Sequence, residues 1–225
     1  MKVFVTSDIH GRFNVLHKII MFLKERNDID CIILCGDISA DHEFYCFTEL
    51  EDKQYDDYKR IKHMLNQLNI ESMFILGNHD VFNVEKGDND YLPYCDKKIF
   101  NNFVAIEYTN FTMYGLKREG NEEDMAFRLS KLKIDNKSII VSHIPPYKCL
   151  DKDKNGMYRG SSAIRDIIKE RKPAFLFCGH VHDAFGFKKL YNTLVFNAAC
   201  NENTVRGWVV ELENGKYERI ILGEL

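Results

Sequence analysis

The chain predicts an α/β fold with a parallel sheet at its core, and three observations carry that prediction. Through the first third of the chain, apolar runs of strand length alternate with segments whose apolar residues recur at helical spacing, the pattern of β-α-β-α-β units. The runs are continuous rather than alternating, Ile32-Ile33-Leu34-Cys35 being the clearest, as strands covered on both faces require. Four of five short polar motifs directly follow such runs, and the carboxyl ends of parallel strands are where an open α/β sheet presents ligand-binding loops.

Taken in order, residues 2–7 read as the first strand, with Val3-Phe4-Val5 leading into Thr6-Ser7-Asp8. Residues 13–26 form an amphipathic helix carrying Phe13, Leu16, Ile19, Ile20 and Leu23 on one face, and 30–35 form a buried strand. A longer, acidic helix spans 49–68 on the spacing of Tyr58, Ile61, Met64, Leu65 and Leu68, and 72–76 is the third strand. Residues 83–97, with Gly87, Asp88, Asn89, Asp90 and Pro93, read as a loop before strands at 103–108 and 111–115. Buried strands follow at 139–141 and 174–177, with a helix over about 161–171 between them. After His182 the runs at 185–190, 193–197, 206–212 and 216–222 alternate, and Asn214-Gly215 marks a hairpin turn, which predicts a mostly antiparallel tail completing a second sheet. With 225 residues and no repeat or obvious linker, the chain reads as one domain, 1–225.

Composition narrows the function classes. At 45% hydrophobic and 29% charged residues with a net charge of −3, the chain has no global attraction for phosphate backbones, and no Lys/Arg run exceeds a pair such as Lys97-Lys98. Nucleic acid is therefore not the expected partner. The first residues turn polar too soon for a signal peptide, and no stretch approaches the length of a membrane span. Seven cysteines, odd in number and without a Cys-x-x-Cys pair, argue for a reducing cytoplasm, with Cys31, Cys35 and Cys178 as small buried hydrophobes.

The five motifs are Asp8-Ile9-His10, Gly36-Asp37, Gly77-Asn78-His79-Asp80, Ser142-His143 and Gly179-His180-Val181-His182, and they use five of the eight histidines. In a loop backbone, residues two apart such as Asp8 and His10, or His180 and His182, can turn toward one point. Asp37 adds a carboxylate able to bridge two cations, Asn78 an amide oxygen and His143 a further nitrogen. Each motif is weak alone. Their shared placement at strand ends points to a metal site.

Read in order, the motifs resemble those of the calcineurin-like metallophosphoesterase superfamily over positions 8 to 182. The resemblance implies a four-layer α/β/β/α sandwich, two mixed sheets flanked by helices, with two divalent metal ions drawn from Mn, Fe, Zn, Ni or Co. It assigns Asp8, His10 and His182 to the first metal, Asn78, His143 and His180 to the second, and Asp37 to the bridge. It leaves His79 off the metals, facing the substrate. The implied reaction is in-line attack on a phosphoester by an activated water, which needs no serine or cysteine nucleophile.

Protein Ser/Thr phosphatases are similar at Asp8-Ile9-His10-Gly11 but continue their second motif as Gly-Asp-x-Val-Asp-Arg-Gly. Here it reads Gly36-Asp37-Ile38-Ser39-Ala40-Asp41, so the Asp that orients the catalytic histidine is replaced by Ala40 and the phosphate-clamping Arg is missing. Asp80 or Asp41 is expected to take over the orienting role, with capping of the next turn as the alternative for Asp80. A weaker resemblance, through His143-Ile144-Pro145-Pro146 and Asn197-Ala198-Ala199-Cys200-Asn201, is to small class III-type phosphodiesterases. The expected substrate is thus a phosphodiester or small phosphorylated metabolite, with a nuclease or a metal-bearing interaction scaffold as alternatives. Candidate substrate contacts lie in loops 81–97 and 147–162: Asn83, Lys148, Tyr158 and above all Arg159, with Ser161 readable as a helix cap. Lys117-Arg118 are further candidates, Phe82, Tyr91 and Tyr94 are core or base-stacking aromatics, and His42 is a cleft candidate through its nearness to Asp37.

Overall fold

The computed structural model describes residues 1–112, 114–202 and 204–224. Its elements run β1 (Lys2–Thr6), α1 (Phe13–Lys24), β2 (Cys31–Cys35), α2 (Phe47–Leu65), β3 (Glu71–Ile75), β4 (Phe103–Ile106), β5 (Thr109–Asn110) and β6 (Glu119–Gly120). They continue with α3 (Glu122–Ser130), β7 (Ile139–Ser142), α4 (Ser162–Arg171), β8 (Phe175–Cys178), β9 (Gly186–Leu190), β10 (Thr193–Asn197), β11 (Thr204–Glu211) and β12 (Tyr217–Glu224).

One sheet has the order β12-β11-β1-β2-β3 and the other β4-β7-β8-β10-β9. Strands β1, β2 and β3 are parallel, as are β4, β7, β8 and β10, while β11, β12 and β9 pair antiparallel at the sides. The two-residue period of a strand explains why the runs had to be apolar throughout. Val3, Val5, Cys31, Ile33, Cys35, Met73 and Ile75 meet Val141, Phe175, Phe177 and Phe196 of the facing sheet. The residues between them, Phe4, Ile32, Leu34 and Phe74, point the other way onto Leu16, Ile19, Leu23, Tyr58, Ile61 and Leu65 of α1 and α2. On the far side Ile140, Leu176 and Val195 pack against Met125 and Leu129 of α3 and Ile164 and Ile168 of α4. Helices, sheet, sheet and helices therefore form four layers.

Phe177 lies between the sheets, fully buried, with ring centroids 5.9 Å from Phe175 and 5.7 Å from Phe196. Truncating it leaves a void that strands cannot collapse around without breaking their ladders. Phe177→Ala is expected to lower unfolding free energy by about 3–5 kcal/mol, read by denaturant titration; a loss under about 1 kcal/mol would contradict this packing.

Four expectations are corrected. The tail divides: β9 and β10 join the second sheet, whereas β11 and β12 return to the first, and β10 lies parallel to β8. No strand forms over 111–115 among its described residues, Met113 lying outside them, because the amide N–H groups of Thr112 and Leu116 donate to the Glu119 carboxylate rather than to a neighbouring strand. Helix α3 carries an N-cap signal, Asn121 accepting from the Asp124 amide at 2.7 Å, but only Met125 and Leu129 are buried, too few for its periodicity to be read. Helix α2 begins at Phe47 and ends at Leu65, short of 68. Among the described residues no helix is long and apolar enough to cross a membrane.

Candidate metal centre

Five parallel strands from both sheets end at one edge, and the residues after β1, β2, β3, β7 and β8 are those of the five motifs. The backbone there is held in an unusual form. Asp8, His10, Asp37 and His180 all have positive φ, between 49° and 67°, a left-handed conformation that costs an L-residue about 1–2 kcal/mol. Neighbouring loops impose it: the Asp8 amide donates to Gly36 O, His10 to Asp37 O and Gly11 to Ile38 O, at 2.8–3.1 Å. Glycines let the loops close. A Cβ on Gly36, itself at φ +95°, would stand 2.6 Å from His143 Nδ1, and one on Gly179 would collide with Ser7 and Asp8.

The side chains then converge. Asp37 Oδ2 is 3.2 Å from His143 Nε2 and 3.8 Å from His10 Nε2, and Asn78 Oδ1 is 3.1 Å from His143 Nε2. Asp8 Oδ1 is 3.1 Å from His182 Nε2, and the Asp8 carboxylate also accepts the His180 amide. Asp8, His10 and His182 form one group spaced to hold an ion, and Asp8, Asp37 and His143 another. Asp8, Asp37, Asn78 and His143 are buried.

Buried carboxylates facing imidazoles set the electrostatics of this cluster. Burial pushes the Asp37 carboxyl up, but His143, His10 and His79 outweigh it and hold it well below the usual range. Asp8 is likewise lowered against its burial, through His182 and His143. Burial and the neighbouring His143 push His180 down to about 4. His143 is raised against burial to about 9 by Asp37. The donor set fits divalent cations that prefer mixed nitrogen and oxygen ligands. His10 Nδ1 is buried with no hydrogen-bond partner in the described structure, and His143 Nδ1 faces Cys35 O at 2.8 Å, which turns Nε2 inward.

His79 stands at the edge of this cluster. Its Nδ1 faces Asp41 Oδ1 at 2.8 Å, and despite burial that bond and the Asp37 charge raise it to about 9. Asp41 is thus its hydrogen-bond partner. Asp80 is not: its carboxylate accepts the Ile38, Ser39 and Gly77 amides and the Ser39 hydroxyl, tying the loops after β2 and β3 together. The cleft above measures about 870 Å³ and is walled by Asn110, Phe111, Thr112, Tyr114, Tyr158 and Arg159 as well as by motif residues. Arg159 is therefore at the cleft, though its Nε pairs with Asp153 at 2.8 Å.

Other candidates lie elsewhere. Asn83 does not line the cleft and accepts from Lys117 Nζ at 2.9 Å. Arg118 is buried, donating to the Asp80 and Phe82 carbonyls. Phe82 and Tyr91 are core residues, and Tyr94 packs edge-on against Tyr91. His42 bonds Asp57 at 2.7 Å, away from the cleft lining. Sequence reasoning missed Arg12, whose guanidinium donates to the carbonyls of Asp8, Ile9 and Asn201, and Phe111 and Tyr114. Arg12 lies two residues after His10, but nothing local marks its acceptors.

The sequence profile of calcineurin-like phosphoesterases matches residues 1–184. The chain belongs to that family. As a family member it is a metal-dependent phosphoesterase. An uncharacterized protein of Methanocaldococcus jannaschii, MJ1162, is 30% identical to it over 211 residues, 88% of this chain and 87% of its relative. In architecture the phosphoesterase is similar to TT1561 of Thermus thermophilus, at TM-score 0.60 and 14% identity over 98% of both chains. It is also similar to a dimetal phosphatase from Danio rerio, at TM-score 0.57 and 11% identity over 100% of this chain and 99% of the other.

Proposed function

We propose that this phosphoesterase hydrolyses a phosphodiester, or another small phosphorylated metabolite of low negative charge, with two divalent cations. Asp8, His10 and His182 hold one, Asn78, His143 and His180 the other, and Asp37 bridges. The observation that carries the reading is the His79–Asp41 pair, 2.8 Å apart, at the edge of a buried Asp, Asn and His donor cluster on the floor of one cleft. When bound, the cations supply Lewis-acid activation of the phosphoryl group and of a water. With Nδ1 committed to Asp41, His79 presents Nε2 as the nitrogen able to deliver a proton to the leaving oxygen. The Asp41 carboxylate keeps that ring charged and oriented.

Charge at the rim favours a diester over a monoester. The Arg12 guanidinium is occupied by three carbonyls and Arg159 by Asp153, while Asp183 and Glu202 add two carboxylates to the lining. In that lining the arginine charges already face protein acceptors, so a second negative charge on the phosphate would gain less from them. The same acidic rim disfavours the nuclease reading, which needs a cationic groove. With Mn²⁺, bis-p-nitrophenyl phosphate is expected to be cleaved at least tenfold faster than p-nitrophenyl phosphate, with activity lost on chelation and restored by metal. A monoester preference, or turnover that survives chelation, would overturn the reading.

A further inference from the structure

Glu119 belongs to none of the motifs, yet its carboxylate is almost wholly buried and takes four hydrogen bonds. Oε1 accepts from Asn78 Nδ2 at 3.1 Å and from the Thr112 hydroxyl at 2.7 Å, and Oε2 accepts from the Thr112 and Leu116 amides at 3.0 and 3.1 Å. We infer that Glu119 is a positioning residue that sets which way the Asn78 amide faces, and that it ties this choice to the aromatic wall of the cleft. The inference rests on Asn78 being a metal ligand, as proposed above.

The argument is one of donor and acceptor identity. An amide side chain can be turned over with little change of shape, exchanging its oxygen for its amino group. A metal ion binds only the oxygen. An ionised carboxylate is purely an acceptor, so Glu119 can receive only the Asn78 amino group, and Oδ1 is thereby directed toward His143 Nε2, 3.1 Å away. The same carboxylate folds the segment after β5. Thr112 donates its hydroxyl to Glu119 and accepts the Tyr114 amide at 3.2 Å, and the Tyr114 ring lies 6.1 Å from that of His79. One buried anion thus braces both the ligand and the wall beside the proposed acid.

Glu119→Gln separates these tasks. The two backbone amides at Oε2 cannot turn round, so the glutamine oxygen stays with them and its amino group takes the place of Oε1. The Thr112 hydroxyl can rotate to accept from it. Asn78 can accept only by turning over, which directs its amino group at the metal position. Aspartate at 78 escapes the conflict, because it offers an oxygen to both sides.

The test is calorimetric titration of Mn²⁺ into the metal-free chain, with circular dichroism to check folding. Glu119→Gln is expected to weaken one of two Mn²⁺ equivalents by about 10–100-fold. Adding Asn78→Asp should return the affinity to within a few-fold of wild type, and Thr112→Val, which removes a hydroxyl donor and loosens the wall but leaves Glu119 a pure acceptor for Asn78, should leave both equivalents in place. The inference is overturned if Glu119→Gln binds both equivalents normally, if Asn78→Asp does not rescue it, or if Thr112→Val weakens binding as much. A Glu119→Gln chain that folds only once Asn78→Asp is added supports it, and one that folds in neither background overturns it. If Asn78→Ala keeps both equivalents, the ligand assignment itself has failed; if Asn78→Ala loses one while Glu119→Gln loses none, the fault is with Glu119 alone.

Discussion

Asp37→Ala is expected to lose both divalent cations and, with them, about three orders of magnitude or more in kcat/KM, since metal charge stabilisation is worth several kcal/mol at about 1.4 kcal/mol per decade. The expectation follows from where the carboxylate sits. Oδ2 lies 3.2 Å from His143 Nε2 and 3.8 Å from His10 Nε2, between residues assigned to different ions, while Oδ1 accepts the His79 amide at 2.9 Å. Truncation therefore removes the shared anion and frees the loop that carries Asn78 and His79. Asp37→Asn divides the two losses, because its amide oxygen can still accept from His79 but brings no charge. Both variants should bind metal poorly, with Asp37→Asn keeping the loop in place. Thermal unfolding gives a readout independent of turnover. A ligand at 100 times its dissociation constant stabilises the native state by about 2.7 kcal/mol, so Mn²⁺ should raise the wild-type transition and leave that of Asp37→Ala unmoved. Two full equivalents of Mn²⁺ on Asp37→Ala would sink the bridging assignment.

That carboxylate was readable from the sequence for a physical reason, and its supports were not. Strands buried on both faces must be apolar throughout, so Ile32-Ile33-Leu34-Cys35 announces itself, and the first polar residue beyond it marks a loop at the sheet edge. The same reasoning placed Asp8, Asn78, His143 and His180 at strand ends, where the structure brings them together. Periodicity fails where burial is sparse, as in α3, and where a side chain replaces a strand partner, as Glu119 does for Thr112 and Leu116. Nor can spacing reveal hydrogen bonds that cross the fold. Glu119 and Asn78 are 41 residues apart, His79 and Asp41 are 38, and Arg12 and Asn201 are 189. Asp41 was within reach as one of two candidates because the second motif departs from that of the protein phosphatases at Ala40. Choosing it over Asp80 required the three-dimensional course of both loops.

His79→Ala is expected to keep both metal equivalents and lower kcat by about 10²–10⁴-fold, the usual contribution of a positioned acid or base. Its imidazole is tied to Asp41 through Nδ1 at 2.8 Å and packs edge-on against His10 and Tyr114, with centroids 5.4 and 6.1 Å away. Its removal therefore leaves the donor set formally complete. Two roles fit that position, and the leaving group separates them. If His79 protonates the departing oxygen, a diester with a basic alkoxide leaving group should lose most of the acceleration. A p-nitrophenolate, which departs without help, should lose far less. If His79 instead steadies charge on the phosphoryl oxygens, both substrates should suffer alike. The geometry favours the first, because Nδ1 faces the Asp41 carboxylate at 2.8 Å, which favours the charged ring and leaves Nε2 as the nitrogen that can give up a proton. Asp41→Asn should then reproduce the leaving-group dependence in weaker form, since an amide can still meet the ring but no longer favours its charged state. Equal losses for alkyl and p-nitrophenyl diesters in His79→Ala would remove the acid role, and full wild-type turnover would remove His79 from the reaction altogether.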